Sequence, residues 1–225
     1  MEEFAAMRAN NVFVTDNASN MKAAIREYTW IGCACHNLNL VLTHGFSRKG
    51  CSATAAVSEE EGEHIAVGIP VEVLQVIDTC KEIMALAKRT HLNAVLETTL
   101  KQSVVTRWNS TLTTLKSVST NLDELHSLTS VPGGSRNLLR LVVYLNDSLL
   151  REVVQILEPF DTATKCLSTD KSPTMHLVVP TKVQLSKQLS PSPSDSVIMS
   201  QLKEHLQKKL ELYFTSVLST SLPHC

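Results

Sequence analysis

Three short stretches hold the residue types that could do chemistry. Val12-Phe13-Val14-Thr15-Asp16 ends an apolar run on a carboxylate. A carboxylate at the C-terminal end of a buried strand is placed to hold a hard cation at a sheet edge. Cys33-Ala34-Cys35-His36 offers a thiol and an imidazole at the spacing of half a zinc site, with Cys35 or His44 in reserve. Arg107-Trp108 joins a guanidinium that clamps phosphate to an aromatic ring that stacks on an unstacked base.

Each stretch also has an ordinary structural explanation. Asp16 can be the turn acid that ends a strand. A structural zinc wants four ligands, usually as two pairs. Cys51, Cys80 and Cys166 are single and scattered, so zinc is not expected. Trp108 lies four residues before Leu112 and can anchor the core of a helical stripe. Cys33 and Cys35 are two apart, too close for an easy mutual bridge, and six cysteines over 225 residues make no disulfide framework.

The elements that must position these groups follow from hydrophobic period. Val12 to Val14 is too short for a helix and suits a buried strand. Asn17 or Ser19 can cap a helix over about residues 18–27. Trp30 to Cys33 predicts a second strand, and a helix with Leu38, Leu40, Val41 and Leu42 follows. Residues 2–9 read as the end of a helix. Residues 47–70, with small side chains and Glu59, Glu60, Glu61 and Glu63, read as a linker.

From Val71 the pattern is helical. Val73, Ile77, Cys80, Met84 and Ala87 form one stripe, and Leu112, Leu115, Val118, Leu122 and Leu125 another. Pro132-Gly133-Gly134 predicts a turn. Leu145, Leu149, Val153, Ile156 and Phe160 predict a helix bent at Pro159. Ser172-Pro173 starts a segment interrupted at Pro180. The last helix, over about 195–218, is capped by Ser194 or Asp195 after a Ser-Pro linker. It carries Ile198, Leu202, Leu206, Leu210, Tyr213 and Val217 on one face, with Lys203, Lys208 and Lys209 solvated opposite them.

Composition narrows the function classes. A hydrophobic fraction of 43% and a charged fraction of 19% belong to a chain that can bury a core. A net charge of −1 gives no global basic signature, so any nucleic-acid binding must be local. No apolar run approaches the ~18 residues of a membrane span, and Met-Glu-Glu lacks the basic start of a signal peptide. These features point to cytosol or nucleus and away from membranes.

Taken in order, the motifs resemble the hAT transposase family, including the BED-zinc-finger proteins derived from it. Val14-Thr-Asp-Asn-Ala-Ser-Asn-Met21 is similar to the segment around the family's second catalytic acid. Cys33-Ala-Cys-His-Asn-Leu-Asn-Leu40 is similar to its C-x-x-H followed by an apolar helix. Thr106-Arg-Trp-Asn-Ser-Thr111 is similar to its Arg-Trp motif, and the segment from Leu157 to Ser168 to a helical pattern common in the family. The resemblance covers roughly residues 5–190.

The resemblance implies an α/β fragment of an RNase H-like fold followed by a mainly α-helical insertion domain. The divisions expected are 1–46 for the partial α/β unit, 47–70 for the linker and 71–225 for the insertion. It implies Asp16 as one acid of a DDE triad that holds divalent cations, Mg²⁺ or Mn²⁺, and DNA as partner through Arg107, Trp108 and His36. Cys33 and His36 would pack and orient the helix base near that site. The triad's first Asp and last Glu, the BED finger and a C-terminal dimerisation segment are expected beyond both ends of the chain. The expectation is a nuclear DNA-binding fragment, catalytically incomplete and holding no cation tightly. The alternative is a transposase-derived protein-interaction module without DNA chemistry. A self-contained nuclease fails on carboxylate count, since Glu158 and Asp161 fall in the insertion.

Overall fold

The computed structural model describes residues 12–48, 68–101, 108–130, 135–169 and 174–219. The expectations for residues 2–9, most of the linker, Arg107, the Pro132 turn and Ser172-Pro173 lie outside these. The described chain is mostly helical, with one two-stranded sheet.

Val12–Thr15 (β1) and Thr29–Gly32 (β2) pair in parallel, Val12 opposite Thr29 and Thr15 opposite Gly32. Parallel strands need a crossover of a dozen or so residues, which the segment around helix α1 (Ser19–Ala24) supplies. α1 is shorter than its sequence suggests and buries nothing. Its N-cap is Ala18, not Asn17 or Ser19, because the Asn17 side chain reaches away to Asn37 at 2.8 Å. The strand expected at 30–33 ends at Gly32, and Cys33 is the N-cap of α2 (Ala34–Gly45). α2 buries Asn37, Leu38, Val41, Leu42 and Gly45, the one-sided stripe of an amphipathic helix. Val12 and Val14 stay about half exposed, at 52% and 54%.

The remaining helices are α3 (Val71–Arg89), α4 (Leu92–Val95), α5 (Trp108–Thr120), α6 (Leu122–Thr129), α7 (Arg136–Tyr144), α8 (Asp147–Leu167), α9 (Val178–Gln188) and α10 (Val197–Ser219). All five expected stripe residues of α3 are buried. The second stripe is also buried but is split between α5 and α6 at Asn121. Asn121 turns its Nδ2 back onto the Ser117 carbonyl at 2.8 Å, a side-chain bond that competes with continued helix.

Three expectations are corrected by local chemistry, those at Leu145, at Pro180 and at the start of α10. The helix through Leu145 is two helices: α7 ends before Leu145, and Asn146 caps α8 by accepting from Leu149 N at 3.0 Å. Pro159 lies inside α8, which continues to Leu167. Pro180 does not interrupt a helix; it sits in the first turn of α9, where a missing N–H costs no intrahelical bond. At α10 the capping side chain is Ser196, whose Oγ accepts from Met199 N at 3.2 Å.

α8 packs against α2, α3, α5 and α9, and α10 lies along α2. Leu202, Leu206, Leu210 and Phe214 of α10 share one continuous apolar core with Leu38, Val41 and Leu42 of α2. The small sheet is thereby held to the helical body through the helix that follows it.

Candidate functional site

Parallel pairing carries the two chemically equipped strand ends to the same edge. Cys33 N donates to the Thr15 carbonyl at 2.7 Å, extending the ladder one step, so Asp16 and Cys33 follow adjacent strand ends. Asp16 is exposed, and its Oδ1 accepts from Ala18 N at 3.2 Å. Beneath it, Trp30 Nε1 donates to Thr15 Oγ1 at 2.8 Å, and Lys22 Nζ lies 4.3 Å over the Trp30 ring.

The loop after Asp16 is tied down by a buried amide. Asn37, fully buried, accepts from Asn17 Nδ2 at 2.8 Å and donates its own Nδ2 to the Tyr213 carbonyl at 2.9 Å. Both bonds satisfy a group whose burial alone would be costly. Gly32 makes room for them: a Cβ there would lie 2.9 Å from Asn17 Oδ1. Tyr213 is held a second time, its hydroxyl bonded to His44 Nδ1. Sequence reading took Asn17 only as a helix cap and missed Asn37. The available signal was an Asn falling on the same stripe as Leu38, Val41 and Leu42.

The Cys33 thiol is pulled down to about 5 by the hydrogen bond from Cys35, with the backbone amides of His36 and Cys35 and the nearby His36 charge assisting against burial. The same bond and burial push Cys35 up. Cys35 Sγ also faces the Thr164 carbonyl of α8 at 3.8 Å. Cys80, by contrast, is buried in α3, where burial and then the Asp147 charge push it up to about 12.

For a divalent cation the donor set is one exposed carboxylate. Among the described residues no three His, Cys, Asp or Glu side chains gather as a metal-holding group. Glu158 pairs with Lys116 at 2.9 Å and Asp161 with Lys165 at 2.6 Å on α8. A two-cation centre needs several converging carboxylates, and the described residues do not fit one. Of the nucleic-acid pair, Arg107 lies outside the described residues, and Trp108 opens α5 with its side chain buried, 8% exposed. His36 is half-buried in the first turn of α2.

No family model matches the chain. Individual relatives do. It is 29% identical over 218 residues to the transposable element Hobo transposase of Drosophila melanogaster, covering 96% of this chain and 30% of that protein. It is 26% identical over 205 residues to zinc finger protein 618 of Mus musculus and of Homo sapiens, covering 90% of this chain and 19% of each. The chain thus spans less than a third of the length of the curated relatives it matches. No helix among the described residues is long and apolar enough to cross a membrane. Over almost its whole length the chain is thus similar to a transposase, in keeping with the family its motifs resemble.

Proposed function

We propose that this chain is the middle part of a transposase-derived, DNA-binding nuclear protein and does not complete a catalytic centre by itself. In this reading the α/β unit over residues 1–46 belongs to an RNase H-like sheet. Residues 47–70 link it to an α-helical insertion over residues 71–225. The observation that carries the reading is the parallel pairing that brings Asp16 and the Cys33-x-x-His36 turn to one sheet edge. Asp16 is then one of three acids, and Mg²⁺ or Mn²⁺ would need the two that the described residues do not supply. Arg107, Trp108 and His36 are the assigned DNA contacts, with Arg107 reaching phosphate.

The test is a pair of assays on a labelled DNA hairpin bearing a terminal inverted repeat. With Mg²⁺ or Mn²⁺ the chain should leave the DNA intact. It should bind the hairpin in a salt-dependent manner, and Arg107→Ala should weaken that binding. Cation-dependent cleavage abolished by Asp16→Ala would overturn the incompleteness. Absence of salt-dependent binding would favour the interaction module, a reading that the burial of Trp108 in the helical core supports.

A further inference from the structure

We propose that Ser192 is a phosphorylation site for a proline-directed protein kinase, and that its phosphate opens the Asp195–Lys203 clasp that holds the loop between α9 and α10.

That loop repeats one pair, Ser190-Pro191 and Ser192-Pro193. A residue before proline is biased to extended backbone, the shape a kinase cleft takes up. Proline after the acceptor also has no N–H to strand against an apolar cleft wall, which is what proline-directed kinases select. The surroundings separate the two serines. Ser190 is still tied to α9, its Oγ donating to the Ser186 carbonyl at 3.1 Å and its N–H to the Lys187 carbonyl at 3.3 Å. Among the described residues, Ser192 Oγ bonds Ser194 alone, its Oγ at 2.9 Å and its N at 3.4 Å. From Ser190 to Ser196 every side chain except Asp195 is exposed, so the loop can be drawn into a cleft without uncovering core. Asp195, three residues beyond Ser192, does not make this a site for an acid-seeking kinase. Its carboxylate is already taken by Lys203 and the Ser192 amide.

In the transfer, Ser192 Oγ attacks the γ-phosphorus of ATP, the bond from that phosphorus to its bridging oxygen breaks, and ADP leaves. The hydroxyl proton passes to the carboxylate base of the kinase. The new ester carries about −1.5 to −2 charges at pH 7. Ser192 N and Lys203 Nζ bond the same oxygen, Asp195 Oδ2, at 2.6 and 2.7 Å. A phosphate on Ser192 is therefore within ion-pair reach of Lys203 and beside the Asp195 carboxylate. In the unmodified chain one lysine balances one carboxylate there, and Glu152 lines the same cleft as a second acid. The added charge draws Lys203 towards the phosphate and leaves Asp195 next to a like charge, so the clasp opens.

The full chain, incubated with ATP and a purified kinase of the cyclin-dependent class, tests this by mass spectrometry. Cleavage after Lys187 and Lys203 releases residues 188–203, and the remaining Ser-Pro pair, Ser172-Pro173, falls in a different peptide. Fragment ions should place most of the phosphate on Ser192 rather than Ser190. Pro193→Ala, at an exposed position, should slow incorporation by about tenfold or more. Phosphorylation should lower Tm by about 2–4 °C. Asp195→Asn, which removes the like charge, should abolish that fall. Phosphate appearing first on Ser190, a rate unchanged by Pro193→Ala, or no incorporation while a control peptide is phosphorylated would overturn the site. A Tm unmoved by the phosphate, or a fall that persists in Asp195→Asn, would overturn the opening of the clasp.

Discussion

The backbone of Gly45 abuts the side chain of Leu206, so that a methyl group on Gly45 would lie 2.8 Å from Leu206 Cδ2. That close approach lets the end of α2 meet α10, and His205 Nε2 lies 3.1 Å from the Gly45 carbonyl beside it. Gly45→Val should destabilise the chain by about 1–3 kcal/mol through overpacking, measured by urea unfolding. Combining it with Leu206→Ala should cost less than the sum of the two single changes. Unchanged stability in Gly45→Val would show that the helices are not in tight contact.

Lys203 is not the solvated lysine its helical position suggests. It reaches Asp195 with bonds of 2.8 and 2.7 Å, and both side chains of the pair are only 13% exposed. The Lys203 bond, then the Ser192 amide, hold the Asp195 carboxyl below its ordinary value. A lowered folded value means that the pair's stabilisation is complete above the unfolded carboxylate's pKa. It is lost as pH falls through the folded one. Lys203→Met should therefore lower Tm at neutral pH, and the gap to wild type should close in the acid range below about pH 4. A gap independent of pH would argue against the ion pair.

Trp108 should behave first as a core residue. At 8% exposure it fills space at the start of α5, and Trp108→Ala should cost about 3–5 kcal/mol by chemical denaturation. Trp108→Phe should cost less. A loss of hairpin-DNA binding with stability intact would instead assign the ring to the ligand.

Cys33 should be alkylated by iodoacetamide at a rate that rises with thiolate and levels off above about pH 6, because its pKa is about 5. Cys35→Ala removes the largest cause of that depression and should move the profile upward. A profile that still climbs steeply through pH 8 to 9 in wild type would refute the assignment.

Local pattern made much of this legible. The two strands, the α2 stripe and the α3 stripe each declare themselves within a few residues of chain. Where a side chain chose between partners, pattern fell short. Asn121 and Asn146 end or start helices through their own amides, and an apolar stripe looks the same on either side of them. Pro180 read as an interruption because position relative to the helix start, not residue type, decides its cost. At the candidate site Asp16 and the Cys33 turn were visible as motifs, but their adjacency depends on parallel pairing. The Asn17–Asn37–Tyr213 chain depends on α10 returning to α2, a contact that no local signal encodes.

That return has a consequence for synthesis. Asn37 and Tyr213 are 176 residues apart, so the apolar face of α2 leaves the ribosome long before α10 exists to cover it. At elongation rates of ~5–20 residues per second the wait is on the order of 10–35 s. Over that interval the nascent chain carries Leu38, Val41 and Leu42 uncovered by α10. Until α10 emerges, that apolar stripe is open to non-native contacts with other chains.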